Sequence, residues 1–97
     1  MTSAPQVTVC IPTYQSESFI ERTLGHASTQ THQNLRILVS VDQSEDATEE
    51  ICRRYAAADS RFEVYAHESR LGWAHNLNFL LDKVESEFFF IYFHDDI

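Results

Sequence analysis

The stretch Val7-Thr8-Val9-Cys10-Ile11-Pro12-Thr13-Tyr14 decides the fold class. Its first five residues are apolar or β-branched, which favours a short buried strand, ended by Pro12. Such a strand delivers Thr13 and Tyr14 to its C-terminal end. Working outward, Ser18 and Glu21 form a capping-box pattern and Ile20, Leu24 and Ala27 recur at helical spacing, so a helix is predicted over residues 18–29. Leu35 to Val41 is a second apolar run with Asp42 directly beyond it. Asp46 with Glu49 signals another helix start, and Ala47, Ile51, Tyr55 and Ala58 supply its apolar stripe.

Further on, Phe62, Val64 and Ala66 alternate with Glu63, Tyr65 and His67, as a strand near a sheet edge does. Past Gly72, the residues Trp73, Leu77, Leu80, Leu81 and Val84 share one face of a helical period, and that stripe is expected to be core rather than a sugar-stacking platform. The run Phe88-Phe89-Phe90-Ile91-Tyr92-Phe93 is apolar throughout, so both faces of its strand are expected to be covered, and it leads into His94-Asp95-Asp96. Strand and helix thus alternate as β-α-β-α-β-α-β with connections too long for hairpins. The fold class is α/β, with a Rossmann-like parallel sheet and right-handed crossovers. Residues 1–6 are read as a flexible tail and residues 7–97 as a single domain, since 97 residues support one core and not two.

Composition narrows the functions. A formal net charge of −8 disfavours nucleic acid as a partner. An acidic protein still binds an anionic phosphate ligand where a divalent cation or backbone N–H groups neutralise the charge. Cys10 and Cys52 lack metal-ligand spacing and read as reduced, buried thiols. No apolar run approaches a membrane span, so a cytoplasmic location is expected, with peripheral membrane attachment of a complete protein left open. The sequence holds no dinucleotide fingerprint, no phosphate-binding P-loop and no Gly-x-Ser-x-Gly elbow, which removes support from dehydrogenase, P-loop kinase and hydrolase readings.

Open parallel sheets bind ligands outside the carboxyl ends of their strands. Three such ends carry polar groups here: Pro12-Thr13-Tyr14, Asp42 and Asp95-Asp96. The tyrosine ring is either core or a stacking surface for a flat base, and Asp42 either a turn residue or an acceptor for a base N–H. Asp95 and Asp96 are either a solvated turn or hard-oxygen ligands for Mg²⁺ or Mn²⁺. His94 beside them is read as a half-buried or solvent-facing side chain, because hard cations prefer the carboxylates.

Taken in order, Val7 to Tyr14, Gln30-Thr31, Val39-Ser40-Val41-Asp42-Gln43-Ser44-Glu45-Asp46-Ala47-Thr48 and Phe93-His94-Asp95-Asp96 resemble the family 2 glycosyltransferases of GT-A fold. The resemblance implies the N-terminal, nucleotide-sugar-binding half of that fold, with transfer of a sugar from a nucleoside diphosphate sugar, a UDP-sugar foremost, to a saccharide or other acceptor. It further implies inversion at the anomeric carbon and a divalent cation, Mg²⁺ or Mn²⁺, on the diphosphate. By position, Pro12, Thr13 and Tyr14 would line the base pocket and Asp42 would accept from the base. Asp95 would contact ribose or metal and Asp96 would be the main metal ligand, in a DxD-type motif whose first acid is replaced by Phe93. Arg70-Leu71-Gly72 falls where the family often has Asn-x-Gly, another donor-site segment. In the family the catalytic base comes from the acceptor half, beyond the acidic motif at which this sequence stops, so these residues alone are expected to bind donor without efficient transfer. The alternative reading is a non-catalytic module that keeps the fold and self-associates through the aromatic strand at 88–93.

Overall fold

The computed structural model describes residues 6–30 and 34–92. Its elements follow the order β1 (Val7–Thr13), α1 (Glu17–Ser28), β2 (Leu35–Val41), α2 (Thr48–Ala58), β3 (Phe62–Ala66), α3 (Trp73–Leu81) and β4 (Phe88–Ile91). The strands form one parallel sheet in the order β3-β2-β1-β4. The α/β class and the parallel sheet are as the alternation of periods requires. Successive strands step outward from β1 to β3, and the chain then crosses back to place β4 on the far side of β1. The reversal therefore falls at β1, which puts its C-terminal end at the centre of the ligand-binding rim.

Side chains alternate across the sheet and divide the core in two. Val9, Ile11, Ile37 and Val39 pack with Ile20, Leu24 and Ala27 of α1 and Ile51 and Cys52 of α2. Cys10 and Leu38 pack on the other face with Leu80 of α3. Both cysteines are free and buried, and burial pushes the Cys10 thiol up to about 11 and the Cys52 thiol up to about 12. At the N-terminal end of the sheet, Arg36 donates through Nε and Nη2 to the two carboxylate oxygens of Glu63, and through Nη1 to the Lys83 carbonyl. That fork ties β2, β3 and the end of α3 together, on the side away from the rim.

The structure corrects four expectations. β1 does not end at Pro12 but pairs through it to Thr13. Thr13 O accepts from Asp42 N, beyond the end of β2, whereas Cys10 O accepts from Tyr92 N, beyond the end of β4. Pro12, two residues past Cys10, has its nitrogen on the β4 side, beyond the last paired position Cys10↔Ile91, so its missing N–H breaks no ladder bond. The first helix starts at Glu17 after Ser16, without the Ser18–Glu21 box. β4 is an edge strand whose Phe88, Phe89 and Phe90 are exposed, because the three helices pack over the strands at the middle and other edge of the sheet. Trp73 is not core but 72% exposed. It is the first residue of α3 and overhangs the rim, where there is no sheet beneath it, while Asn76 and Leu80 make the buried face of that helix. Residues 1–5 of the expected tail, Thr31, and Phe93, His94, Asp95 and Asp96 lie outside the described residues.

No helix among the described residues is long and apolar enough to cross a membrane.

Candidate nucleotide-binding site

Two loops build the rim. The segment after β1 turns sharply at Gln15, whose φ of 42° is in the left-handed region, and the segment after β2 wraps against it. The contacts are reciprocal: Gln15 N donates to Ser44 Oγ at 2.9 Å, and Ser16 N donates to Thr48 Oγ1 at 2.7 Å. Glu17 N donates to Asp46 Oδ2 at 3.2 Å, while Ala47 N donates to Glu17 Oε1 at 2.8 Å. Each helix start thus gains an acceptor from the start of, or the segment leading into, the other helix, satisfying amide donors that a helix cannot satisfy itself. Asp46 also accepts from the amide and hydroxyl of Thr48. Burial alone would raise the Asp46 pKa, but those bonds and the Glu17 amide outweigh it and hold the carboxyl below its usual range.

The Tyr14 position follows from this clasp. Its amide donates to Ser16 Oγ, and Ser16 Oγ donates to the Tyr14 carbonyl, which fixes the backbone and leaves the ring half-buried at the rim.

Asp42 follows β2 and is 1% exposed. Its Oδ1 accepts from Leu71 N at 2.7 Å and Gln43 N at 2.8 Å. Its Oδ2 accepts from Gly72 N at 2.9 Å and from Arg70 Nε at 3.0 Å. Burial would raise the Asp42 pKa, but the amides of Leu71, Gln43 and Gly72 and the Arg70 guanidinium outweigh it and hold the carboxyl below its usual range. Four donors use the acceptor capacity of one carboxylate. A base contact to Asp42 therefore requires one of these bonds to be exchanged, and the half-exposed Arg70 is the partner that solvent reaches.

Arg70 also reaches Tyr14: its guanidinium carbon is 3.6 Å from the ring centroid. Behind this pair, Asn76 is buried and donates through Nδ2 to the carbonyls of Thr13 at 3.2 Å and Ser40 at 3.3 Å. Ser40 Oγ donates to Asn76 Oδ1 and is 2.7 Å from His67 Nε2. With the serine proton committed to Asn76, the hydroxyl accepts from a protonated Nε2. This polar knot holds the first turn of α3 against the ends of β1 and β2.

The result is a cavity of about 260 Å³ lined by Pro12, Thr13, Tyr14, Asp42, Arg70, Trp73 and Asn76. Every nucleotide-site residue expected from the sequence, other than those outside the described residues, meets in it. Sequence reasoning missed Ser40, Asp46, Thr48, His67 and Asn76 as supports, and placed Trp73 in the core. A serine inside the apolar run 35–41 is the one local signal that polar groups pack there. A second cavity of about 470 Å³ opens on the other side of Asp42, towards Glu49, Arg53, His67 and Glu68, and shares only Asp42 with the expected site. Among the described residues no group of three or more His, Cys, Asp or Glu side chains could hold a metal ion.

The family model for glycosyl transferase family 2 matches residues 8–97. The chain belongs to glycosyl transferase family 2. An uncharacterized glycosyltransferase of Haemophilus influenzae is 29% identical over the whole chain, and one of Rickettsia typhi is 31% identical over 99% of it. The chain spans 30% and 29% of the length of those two glycosyltransferases. Among solved structures, the mannosyltransferase PcManGT of Pyrobaculum calidifontis, in complex with GDP-Man and Mn²⁺, superposes with a TM-score of 0.84 at 31% identity, over 97% of this chain and 28% of its own. Residues 1–349 of Staphylococcus aureus TarS, in complex with UDP-GlcNAc, give a TM-score of 0.83 at 27% identity, over 93% of this chain and 26% of its own. These neighbours confirm the GT-A, Rossmann-like architecture of the chain.

Proposed function

We propose that these residues form the donor-binding part of an inverting glycosyltransferase that uses a nucleoside diphosphate sugar, a UDP-sugar foremost, together with Mg²⁺ or Mn²⁺. The observation that carries this reading is the convergence of Pro12, Thr13, Tyr14, Asp42 and Arg70 on one rim cavity at the strand-order reversal. In this role Pro12 and Thr13 form the floor of the base pocket. Asp42 fixes the Arg70-Leu71-Gly72 segment, and the remaining guanidinium N–H groups of Arg70 donate to carbonyl oxygens on the edge of the base.

In the sequence Asp95 and Asp96 come after β4, which pairs with β1 on the side away from β2, and this order supports a diphosphate that runs from the β2 side of the rim towards the β4 side. Asp96 with Asp95 would hold the cation, and a divalent cation offsets charge growing on a departing diphosphate. The neighbour bound to GDP-Man and Mn²⁺ supports a metal of this kind. The base that deprotonates the acceptor hydroxyl would come from outside these 97 residues.

Calorimetric titration of the chain with UDP and GDP, each with and without Mn²⁺, tests the reading. Metal-enhanced binding of a nucleoside diphosphate is expected, with no sugar transfer by the chain alone. Absence of binding at millimolar ligand in the presence of Mn²⁺ would sink it.

A further inference from the structure

We infer that Trp73 is the surface on which the nucleobase of the donor stacks, a role that rests on the donor-site reading above. Trp73 lines the same cavity as Tyr14 and Arg70, yet it is 72% exposed. An indole left in water forgoes the stabilisation that burying so large an apolar group provides, and this one borders a cavity on which Thr13, Asp42, Arg70 and Asn76 also converge, the combination of aromatic and polar groups that ligand pockets use.

Its backbone is held on both sides, while its ring makes no ring or cation contact among the described residues. Gly72, at φ 84° in the left-handed region, donates its amide to Asp42, and its carbonyl accepts from Asn76 N at 2.9 Å. Asn76 in turn is bound to the carbonyls of Thr13 and Ser40. The indole is therefore mounted on a fixed helix start, which lowers the ordering cost of stacking on it.

Two aromatic rings line the cavity, and one is already engaged. The Arg70 guanidinium covers one face of Tyr14 at 3.6 Å, whereas Trp73 has no ring or cation contact among the described residues and offers the more open ring to a planar ligand. Topology decides which planar or ring-shaped part of the donor meets it. Trp73 stands with Asp42 and Arg70 on the β1–β2 side of the rim, whereas β4, the strand that precedes the acidic doublet in the sequence, pairs with β1 on its other side. The base end of the donor falls at Trp73, and the sugar lies with the diphosphate, away from it.

Trp73 is the only tryptophan in the sequence, so indole fluorescence reports on this position alone. With Mn²⁺ present, UDP, which carries no transferable sugar, is expected to quench that fluorescence, and pyrophosphate to leave it unchanged. Trp73→Ala is expected to weaken UDP binding roughly tenfold by calorimetry, with Trp73→Phe recovering part of the loss. Both variants should melt with the wild type, since the ring takes no part in the core. UDP binding that neither quenches the indole nor weakens in Trp73→Ala overturns the stacking role and leaves the donor site standing. Quenching by UDP-GlcNAc but not by UDP assigns the ring to the sugar and overturns it as well. No binding of UDP or GDP to the wild type removes both the stacking role and the donor site.

Discussion

Arg70 and Tyr14 form a stacked pair at the rim, with the guanidinium carbon 3.6 Å from the ring centroid and Nε bonded to the buried Asp42 carboxylate. The pair joins the segment after β1 to the segment before α3 and so ties the two walls of the cavity to each other. Arg70→Ala should weaken nucleotide binding roughly tenfold, the usual cost of losing one charge-assisted hydrogen-bonding group. Arg70→Lys should resemble alanine, because an ammonium can neither stack flat on the ring nor keep the forked donor geometry. Folding stability should fall by less than about 1 kcal/mol in either variant, since the side chain is half-exposed and three backbone donors still satisfy Asp42. Calorimetric titration beside a denaturant melt separates the two effects.

Asp42 should matter more to folding than to contact with ligand. Asp42→Ala strands the amides of Leu71 and Gly72 at a buried position and should cost about 3 kcal/mol in urea denaturation. Asp42→Asn keeps one carbonyl acceptor and should cost less. The pH dependence has a definite sign. The Asp42 pKa is lowered on folding, so its contribution is fully present above the unfolded value of about 3.9 and is lost as pH falls through the lower folded value. The stability difference between wild type and Asp42→Asn should therefore shrink below about pH 4. A difference that stays constant from pH 6 down through that range would show the carboxylate charge to be unimportant.

The layering of the fold was legible because each strand and helix announces its own period, and β1, β2 and α2 lie close to where their apolar residues place them. Pro12 and Trp73 were misread for one reason: position in a sheet or beyond its rim decides whether a missing N–H or an apolar ring matters, and periodicity carries no such information. Tyr14, Asp42 and Arg70 could be named as site residues from strand ends and from the resemblance. The partners of Asp42 could not, since Leu71 and Gly72 come to it across about thirty residues of chain through backbone amides that have no sequence signature. The cross-capping of Glu17 and Asp46 was hidden in the same way, because Asp46 reads as a cap for α2 alone, a role it also fills, and nothing local marks Glu17 as the partner of an amide thirty residues on.

Asn76 is expected to be the most sensitive support of the cavity. Its amide satisfies two carbonyls and one hydroxyl within a buried knot, and no water reaches it to substitute. Asn76→Ala should cost about 2 kcal/mol, and Asn76→Asp more, because an ionised carboxylate would face the Thr13 and Ser40 carbonyls. Denaturant melts check the order of the two variants. Equal stability of Asn76→Asp and wild type at pH 7 would contradict the donor assignment of Nδ2.

Asp96 is the residue on which the cation proposal turns. Hard divalent ions take carboxylate oxygens and phosphates, and Asp42 is already engaged by four donors from the chain itself. The acidic doublet after β4 is thus the remaining carboxylate pair that the sequence brings to the end of a strand next to β1. Asp96→Asn should remove most of the Mn²⁺-dependent gain in UDP affinity, about tenfold or more, while leaving UDP affinity in EDTA at the wild-type level. Uridine, which has no diphosphate for the cation to bridge, should bind wild type and variant alike with or without Mn²⁺. If a double Asp95→Asn, Asp96→Asn variant kept the full Mn²⁺ gain for UDP, the cation would have to be held by other groups, and the path of the diphosphate across β1 towards β4 would have to be redrawn.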